Sequence, residues 1–413
     1  MNITGIIAEY NPFHNGHLYQ IEATRKQLNS DFIVVVMSGN FTQRGEAAIK
    51  DKFTRAEMAL RNGADLILEL PLPFATASAE RFARGAISIL KHTGIVNSVS
   101  FGSEHGTLPL LKTVAQCLNH PSTSFNENIK SNLKQGISFP KAREAALLSE
   151  IKSLNLNMDS NHISNVIKSP NNILGIEYLR AINHFNAPIE PFTIERLKAG
   201  YHDLEIHNDI ASATAIRSIH HLGDSTATSS CMPSSSYELF IDNTLPTPDM
   251  NLAMPFLHSK FMFSNINDLY SIWDVPNDLI NTFIRNNLTE SVFETLVSSC
   301  TSKTYTSATV RRALLRILLN IQAKDVEPLD AVELVPYIRV LGCKKDSTWL
   351  LKHLSKNSTR PLVTNFKSSY DTLDETSKKF LDYDINATKL YHYLTGNVSS
   401  INQDFTQPFL IVK

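Results

Sequence analysis

The sequence lacks the features that mark several large classes of protein. It has four cysteines in 413 residues and no Cys-x-x-Cys pair; they are Cys117, Cys231, Cys300 and Cys343. Isolated thiols of this kind argue against a zinc site and a disulfide framework, and they predict reduced cysteines in a cytoplasmic protein. No apolar run is long enough to cross a bilayer, so neither a signal peptide nor a contact with membranes is expected.

The chain also lacks a Gly-x-x-x-x-Gly-Lys-Ser/Thr loop, internal repeats and low-complexity tracts. Its net charge of −1 gives no general indication of a nucleic-acid partner. One segment, from Lys303 to Lys352, is locally basic, with nine Lys or Arg residues against five acidic ones. On charge alone, a solvated helical face and a surface that contacts RNA explain this segment about equally well.

Short apolar strands alternate with helical segments over the first hundred residues. After the amino-terminal strand, three more strands are predicted at Phe32–Met37, Asp65–Leu70 and Asn97–Phe101. This alternation predicts an α/β fold with a Rossmann-like, doubly wound parallel sheet. Ligands of such sheets bind at the carboxyl ends of the strands, where the strand order reverses.

The length of the chain predicts two domains. We predict an α/β domain at residues 1–222, a Ser-, Thr- and Pro-rich linker at 223–248, and a mainly helical domain at 249–413. Within the first domain we expect helices over Leu110–Leu154, a polar loop at Asn155–Lys168 and an edge strand at Ile189–Ile194. Near the end of the chain, only a short helix at Thr388–Leu394 is expected.

The first strand leads into the sequence His14-Asn15-Gly16-His17 after an Asn-Pro pair. At this spacing, His14 and His17 can lie on one side of the first helical turn, beside free backbone N–H groups and the positive end of the helix dipole. Gly16 would let a phosphate approach the backbone. A histidine near the end of a strand is more often a structural residue than a catalytic one. Here, however, the strand, the Asn-Pro break, the histidine motif and the helix follow one another in the right order, and together they favour a phosphate site.

A second motif follows at Ser212-Ala213-Thr214, with Arg217 one turn later. Ser212 suits the N-cap position, and the two hydroxyl groups with the guanidinium of Arg217 could hold a polyphosphate. Alone, this segment indicates an ordinary capped helix. Paired with the histidine motif, it predicts that His14, His17, Ser212, Thr214 and Arg217 are catalytic.

These two motifs resemble those of the nucleotidyltransferase superfamily with the HIGH-type signature, although Ala213 stands where that superfamily has a second hydroxyl residue. The resemblance implies attack on the α-phosphate of ATP and release of pyrophosphate, with Mg²⁺ accompanying the ATP and no separate protein metal site. Longer segments resemble the bacterial tRNA(Met) cytidine acetate ligases. They are Glu9–Leu18, Met37–Glu46, Phe101–Glu104, Ser169–Gly175 and Pro336–Gly342.

The second resemblance implies a ligase that activates acetate with ATP and then acetylates N4 of the wobble cytidine in elongator tRNA(Met). It also implies a set of ATP contacts. These are Ile7, Ala8, Glu9, Tyr10, Asn11, Pro12, Phe13, His14, Asn15, Gly16, His17, Leu18, Tyr19, Gln20, Gly102, Asn171 and Arg196. We expect acetate to bind near Phe41 and Gln43.

In this interpretation residues 1–222 bind ATP, and the helical domain binds tRNA through basic side chains. The candidates are Lys303, Arg311, Arg312, Arg339, Lys344 and Lys345. Two alternatives stay open. One is an adenylyltransferase that makes a nucleotide cofactor from a small phosphorylated molecule; the other is a non-catalytic RNA-binding protein that keeps a nucleotide-binding fold.

Overall fold

The computed structural model describes residues 1–104, 106–137, 139–153, 160–196, 211–242, 244, 246–331 and 334–413. Within them the chain forms an eight-stranded sheet with helices packed against it, which confirms the α/β prediction. The strands are β1 (Ile3–Ala8), β2 (Phe32–Ser38), β3 (Leu66–Leu70), β4 (Ser98–Ser103), β5 (Glu190–Glu195), β6 (Ile338–Lys344), β7 (Leu362–Val363) and β8 (Leu410–Val412).

The α-helices of the first half include three consecutive ones in the region where helices are predicted between Leu110 and Leu154. The helices are α1 (Asn15–Leu28), α2 (Lys52–Arg61), α3 (Leu72–Ala75), α4 (Ala79–Thr93), α5 (Leu108–Asn119), α6 (Thr123–Lys134), α7 (Phe139–Ser153), α8 (Ser160–Lys168), α9 (Pro170–His184) and α10 (Ala213–His221).

The second half is mostly helical. Its α-helices are α11 (Ser234–Ile241), α12 (Met254–Phe263), α13 (Ile266–Tyr270), α14 (Asn277–Asn287), α15 (Phe293–Cys300), α16 (Ser307–Leu319), α17 (Ala323–Val326), α18 (Trp349–Asn357), α19 (Phe366–Tyr370), α20 (Glu375–Leu394) and α21 (Gln403–Thr406). Short 3-10 helices cover Ser225–Cys231, Met250–Ala253, Glu327–Ala331, Lys345–Ser347 and Val398–Ser400. None of the described helices is long and apolar enough to cross a membrane.

The order of the strands is β5-β4-β1-β2-β3-β6-β7, and β8 pairs with β6. The first five strands are parallel, with β5 at the predicted edge position. From β1 the chain adds β2 and β3 on one side and β4 and β5 on the other, so the strand order reverses between β1 and β4. Ligands are expected outside the carboxyl ends of these two strands.

The central strand β2 explains the continuous apolar run in its sequence. Its residues alternate between two hydrophobic clusters: Val34 and Val36 belong to one, and Ile33, Val35 and Met37 to the other. All five side chains are fully buried because helices cover both faces of the sheet. The core packed on both faces of the sheet therefore holds the carboxyl ends of the strands in place.

Three strands from the second half of the chain complete the sheet, and the sequence did not indicate them as strands. Strand β6 runs antiparallel to β3, and β7 and β8 both pair in parallel with β6. The division of the chain into domains at residues 222 and 248 stays a prediction. A third hydrophobic cluster lies among α12, α14, α15 and α16, away from the sheet.

Three predicted segments are longer or more ordered than expected. In the predicted loop Asn155–Lys168, residues 160–168 form helix α8, and residues 155–159 lie outside the described part of the chain. The predicted linker contains a 3-10 helix and α11, because Phe240 and neighbouring apolar side chains pack against the α/β core. Helix α20 begins at Glu375, well before Thr388. The sequence did not indicate this longer helix because its buried face includes the polar Asp384, which interrupts the apolar periodicity.

Candidate active site

The two histidines form the cap of helix α1. His14 is the N-cap residue, with extended backbone angles of φ −141° and ψ 173°. Its Nδ1 accepts a hydrogen bond from the N–H of Gly16 at 3.1 Å, and Nδ1 of His17 accepts from the N–H of His14 at 3.3 Å. This reciprocal pair is a capping box built from two imidazoles. It fixes both rings at the carboxyl end of β1.

The same hydrogen bonds determine where the protons of the two rings lie. The imidazoles of His14 and His17 stack with ring centres 3.7 Å apart and an angle of 27° between their planes. Because each Nδ1 accepts a hydrogen bond, the neutral ring carries its proton on Nε2. Each histidine therefore presents an Nε2–H donor on the side of the ring away from the helix backbone.

Both rings are neutral at ordinary pH. Burial, together with the nearby cations Arg196 and Arg217, lowers the pKa of His14 to about 3. Burial also lowers the pKa of His17 well below its usual value, helped by His14 and Arg196. The site therefore offers two fixed, uncharged hydrogen-bond donors.

The structure corrects two details of the predicted phosphate site. The N–H of Gly16 is occupied by His14 Nδ1, so this backbone group is not free for a phosphate. A Cβ at Gly16 would lie 2.9 Å from Cε1 of His14. The glycine thus makes room for the imidazole ring, and the donors offered to a ligand are the two Nε2–H groups.

Buried imidazoles predict a loss of stability in acid. The pKa of His14 is lower in the folded chain than in the unfolded chain, so below about pH 6.5 the unfolded chain binds more protons. The free energy of unfolding should therefore fall with decreasing pH, by up to about 1.4 kcal/mol per pH unit for this ring. Urea unfolding at pH 7, 6 and 5 should show a shallower decrease for His14→Asn than for the parent. Equal slopes would contradict the buried neutral ring.

The second motif reaches the first across the pocket. Ser212 caps α10 by accepting a hydrogen bond from the N–H of Ala215 at 3.0 Å. Arg217 donates from Nη1 to the carbonyl oxygen of Asn11 at 2.7 Å and from Nη2 to Thr214 Oγ1 at 3.3 Å. The carbonyl of Asn11 belongs to the turn before His14. The predicted pairing of the two distant motifs is therefore present in the structure.

A pocket opens between these motifs at the carboxyl ends of β1 and β4. Most of the predicted ATP contacts and all five predicted catalytic residues line it. The lining includes Ile7, Ala8, Glu9, Tyr10, Asn11, His14, Gly16, His17, Tyr19, Gln20, Gly102, Asn171, Arg196, Ser212, Thr214 and Arg217. A Cβ at Gly102 would meet the side chain of Arg196 at 3.0 Å, so this glycine lets the arginine lie close to the end of β4.

Four residues of the predicted ATP segment do not line the pocket: Pro12, Phe13, Asn15 and Leu18. Phe13 is fully buried in the hydrophobic core, and Leu18 packs against the same cluster. Asn15 donates from Nδ2 to the carbonyl oxygen of Ser230. These side chains hold the turn in place, and direct contact with a ligand in this pocket is not expected of them.

Sequence reasoning missed several residues of the lining. The loop after β2 contributes Thr42, Arg44 and Glu46, in addition to Gln43, near which acetate was expected to bind. The apolar side chains of the pocket come from four separate elements, and no sequence motif joins them. They are Phe82, Phe101, Leu174, Tyr178 and Ile194. Phe41, guessed to lie near acetate, is fully buried and is not part of the lining.

The pocket fits a nucleotide. Apolar and aromatic walls suit a base, while Arg196, Arg217 and the two imidazole donors suit phosphates. The described residues contain no group of three or more His, Cys, Asp or Glu side chains that could hold a metal ion. The four cysteines are free and buried.

The basic residues predicted to bind tRNA divide into three groups. Lys303 is exposed in the loop that precedes α16. Arg311 and Arg312, on the first turns of α16, contact the loop after β2: Arg311 lies 3.7 Å from Glu46, and Arg312 Nη1 donates to the carbonyl oxygen of Gln43 at 3.3 Å. Arg311 and Arg312 therefore lie beside the pocket.

The remaining three candidates lie elsewhere. Arg339 is a correction, because its side chain is buried between Glu69 and Asp404 at 2.7 and 2.6 Å and cannot reach a bound tRNA. Lys344 lies where β6 meets the beginning of β3, since its N–H donates to the carbonyl oxygen of Asp65. Lys344 and Lys345 are thus at the edge of the sheet opposite the pocket, and contact there with tRNA stays a prediction.

The model of the HIGH Nucleotidyl Transferase family matches residues 1–405 of this sequence. The chain belongs to the HIGH nucleotidyltransferase family. It is 38% identical over 406 residues to a tRNA(Met) cytidine acetate ligase of Clostridium perfringens, with 98% of each chain covered. It is 37% identical over 424 residues to the protein of that name from Acetivibrio thermocellus, with full coverage of both chains.

Two solved structures agree with the fold. TmcAL of Thermotoga maritima without ligand matches with a TM-score of 0.92 and 31% identity, and all of both chains is covered. The same protein bound with alpha-thio ATP matches with a TM-score of 0.90 and 30% identity over both full chains. The resemblance to the tRNA(Met) cytidine acetate ligases noted in the sequence is confirmed.

Proposed function

We propose that this protein is an ATP-dependent ligase that forms N4-acetylcytidine at the wobble position of elongator tRNA(Met). The observation that carries the proposal is the single pocket in which the His14–His17 pair, the α10 motif and the end of β4 meet. The names of the full-length relatives support the choice of acetate and tRNA(Met) as substrates. The ATP analogue bound by the Thermotoga maritima protein supports the nucleotide.

In the first step a carboxylate oxygen of acetate attacks the α-phosphorus of ATP, and the bond to pyrophosphate breaks. The Nε2–H groups of His14 and His17 stabilise the negative charge that builds on the phosphate oxygens. Each preorganised donor of this kind contributes about 3–4 kcal/mol. Arg217 and the hydroxyl groups of Ser212 and Thr214 hold the departing pyrophosphate. A Mg²⁺ ion that accompanies ATP would take its oxygen ligands from the phosphates and water.

Acetate binding is assigned to the loop after β2. Gln43 lines the pocket, and its buried side-chain Nε2 has no hydrogen-bond partner within the described residues. A buried donor without an acceptor is costly, and a carboxylate oxygen would satisfy it. We therefore assign the acetate carboxylate to Gln43 Nε2.

In the second step the N4 amine of the wobble cytidine attacks the acyl carbon of acetyl-adenylate, and AMP leaves. The cytidine must leave its stack to reach a pocket at the end of the sheet. We assign Lys303, Arg311 and Arg312 to the surface that holds the tRNA phosphates, because the two arginines contact the loop that lines the pocket and Lys303 is exposed just before the same helix.

The assay that tests the proposed function is ATP–pyrophosphate exchange measured with and without acetate. The ligase predicts exchange that requires acetate and no other organic substrate. Exchange that instead requires a phosphorylated metabolite would favour the adenylyltransferase that makes a nucleotide cofactor. No exchange under any condition would favour the non-catalytic RNA-binding protein.

The assignment of basic side chains near α16 predicts a specific effect of Lys303→Ala. This exposed lysine should contribute one phosphate contact, so its loss should weaken tRNA binding roughly equally for all sequences and reduce the salt slope by about 1. Binding is measured by filter retention at salt concentrations between about 50 and 200 mM, a range over which phosphate contacts make the affinity strongly dependent on salt. Lys356→Ala, an exposed lysine of α18 that is not among the tRNA-binding candidates, is the matched control. If both variants weaken tRNA binding to the same extent, the assignment to α16 is wrong.

The two arginines should behave differently from Lys303. Arg312 donates to the carbonyl oxygen of Gln43, so Arg312→Ala should disturb the loop that lines the pocket and lower both exchange and tRNA binding. Lys303→Ala should lower tRNA binding and leave acetate-dependent exchange intact. The comparison separates a side chain that contacts only tRNA from one that also supports the loop.

A further inference from the structure

The second step of the proposed reaction releases a proton, and none of the groups assigned a role in the two steps so far can accept it. The lone pair of the cytidine N4 amine is delocalised into the base, so its attack on an acyl carbon must be accompanied by loss of an N–H proton. A general base within hydrogen-bond reach of N4 would accelerate this step by about 10²–10⁴-fold. The inference below rests on the proposed function.

The histidines cannot be this base. The Nε2 atoms of His14 and His17 carry protons, and their Nδ1 atoms already accept backbone hydrogen bonds. Tyr10 and Tyr178 line the pocket, but burial raises the pKa of both phenols above the usual value, so they are protonated. A carboxylate is the remaining type of base among the described lining residues.

Three carboxylates line the described part of the pocket: Glu9, Glu46 and Glu195. Glu46 lies 3.7 Å from the guanidinium of Arg311, so its carboxylate is already engaged in an ion pair. Glu195 is exposed at the end of β5. Glu9 lies directly after β1, at the point where the strand order reverses.

The contacts of Glu9 place it beside the proposed acetyl site. Its Oε1 accepts a hydrogen bond from the backbone N–H of Gln43 at 2.7 Å. Gln43 is the residue whose side-chain Nε2 is assigned to the acetate carboxylate. Within the described residues, no hydrogen bond to the second oxygen, Oε2, is present. One oxygen is thus held in place and the other can accept a proton.

We propose that Glu9 is the general base that removes the N4 proton during acetyl transfer. The N4 lone pair forms a bond to the acyl carbon, the N4 proton passes to Oε2 of Glu9, and the carbonyl electrons move onto the acyl oxygen. When these electrons re-form the carbonyl double bond, the bond between the acyl carbon and the phosphate oxygen breaks and AMP leaves. Glu9 then releases its proton to water, which completes the balance of acetyl-adenylate and cytidine to acetylcytidine, AMP and one proton.

The surroundings of Glu9 suit this role. Burial raises its pKa above that of a free glutamate, which makes it a stronger base. The groups that face it are Arg217 from α10, Arg55 from α2, Glu46 from the loop after β2, and Tyr178 from α9. The positive charges of the two arginines oppose the increase in the pKa of Glu9 and keep its carboxylate form available. The negative charge of Glu46 raises this pKa further.

The test separates acetyl transfer from adenylation. Synthetic acetyl-adenylate and tRNA are mixed with excess enzyme, and single-turnover transfer is compared with acetate-dependent exchange by the same preparation. In Glu9→Gln the amide oxygen can still accept from Gln43, but the side chain is no longer a base. The ratio of transfer to exchange should fall by about 10²-fold or more. Glu9→Asp should recover part of this ratio.

A pH profile and a second carboxylate distinguish this role from a structural one. Transfer by the parent should fall toward acid pH, and this dependence should be absent in Glu9→Gln. If Glu9→Gln keeps the parental ratio, or if Glu195→Gln loses it instead, the assignment of the base is wrong. A parent protein that cannot acetylate tRNA from acetyl-adenylate would overturn the proposed function as well.

Discussion

Replacing either His14 or His17 with asparagine is expected to lower acetate-dependent ATP–pyrophosphate exchange by about 10²–10³-fold. The side-chain oxygen of asparagine can replace Nδ1 as the acceptor in the cap of α1, and asparagine is a favoured residue at the N-cap position of His14. The substitution therefore keeps the local fold and removes the Nε2–H donor. Each donor should act mainly on the charge that builds in the transition state, so the turnover rate should fall more than the affinity for ATP.

Several controls make this result interpretable. His353→Asn carries the same substitution on α18, outside the pocket lining, and should leave exchange unchanged. Exchange by the parent protein between pH 6 and 8 should show no pH dependence that arises from titration of the histidines, because both rings stay neutral in that range. Loss of ATP affinity with an unchanged turnover rate would instead mean that the imidazoles bind the ground state.

Arg339→Ala is expected to lower the free energy of unfolding by about 3–5 kcal/mol, the usual cost of breaking a buried ion pair from one side. Arg339 and Lys52 alternate with Glu69 and Asp404 in a closed ring of four charges, with contacts between 2.6 and 2.9 Å. All four side chains are less than 5% exposed. Removal of the guanidinium leaves two buried carboxylates with one cation.

Denaturant unfolding measures this loss, and two further variants test its cause. Arg339→Met with Glu69→Gln removes one charge of each sign, so the double variant should lose less stability than the two single changes added together. Lys345→Ala, an exposed lysine just after β6, should have little effect on stability. If Arg339→Ala unfolds like the parent but binds tRNA more weakly, the side chain is not the buried group described above.

The sequence predicted the parts of the fold that depend on short-range patterns. β2 has an unbroken apolar run because both of its faces are covered, and α10 begins after the Ser212 cap that the sequence predicts. Strand β6 was missed because a charged residue, Arg339, interrupts its apolar run. That charge is tolerated only because Glu69 and Asp404 neutralise it, and these partners lie far away in sequence.

The candidate site shows the same difference between features with a local sequence pattern and features that depend on residues far apart in the chain. The histidine turn and the capped α10 have local signatures, so their meeting across the pocket could be predicted. The apolar walls could not, since Phe82 comes from α4, Leu174 from α9 and Ile194 from β5, each at an ordinary core position in its own element. The tautomers of the two histidines also depend on backbone hydrogen bonds that only the folded turn provides.

The most direct test of the proposed function is mass spectrometry of elongator tRNA(Met) after incubation with ATP, acetate and this protein. We expect one additional acetyl group, located on the wobble cytidine, in reactions that contain both ATP and acetate and in none that lack either. An unmodified tRNA in the presence of an enzyme that exchanges pyrophosphate with ATP would show that the activated acid is passed to a different acceptor. Acetylation at full rate by the His14→Asn, His17→Asn double variant would contradict the central role of the imidazole pair.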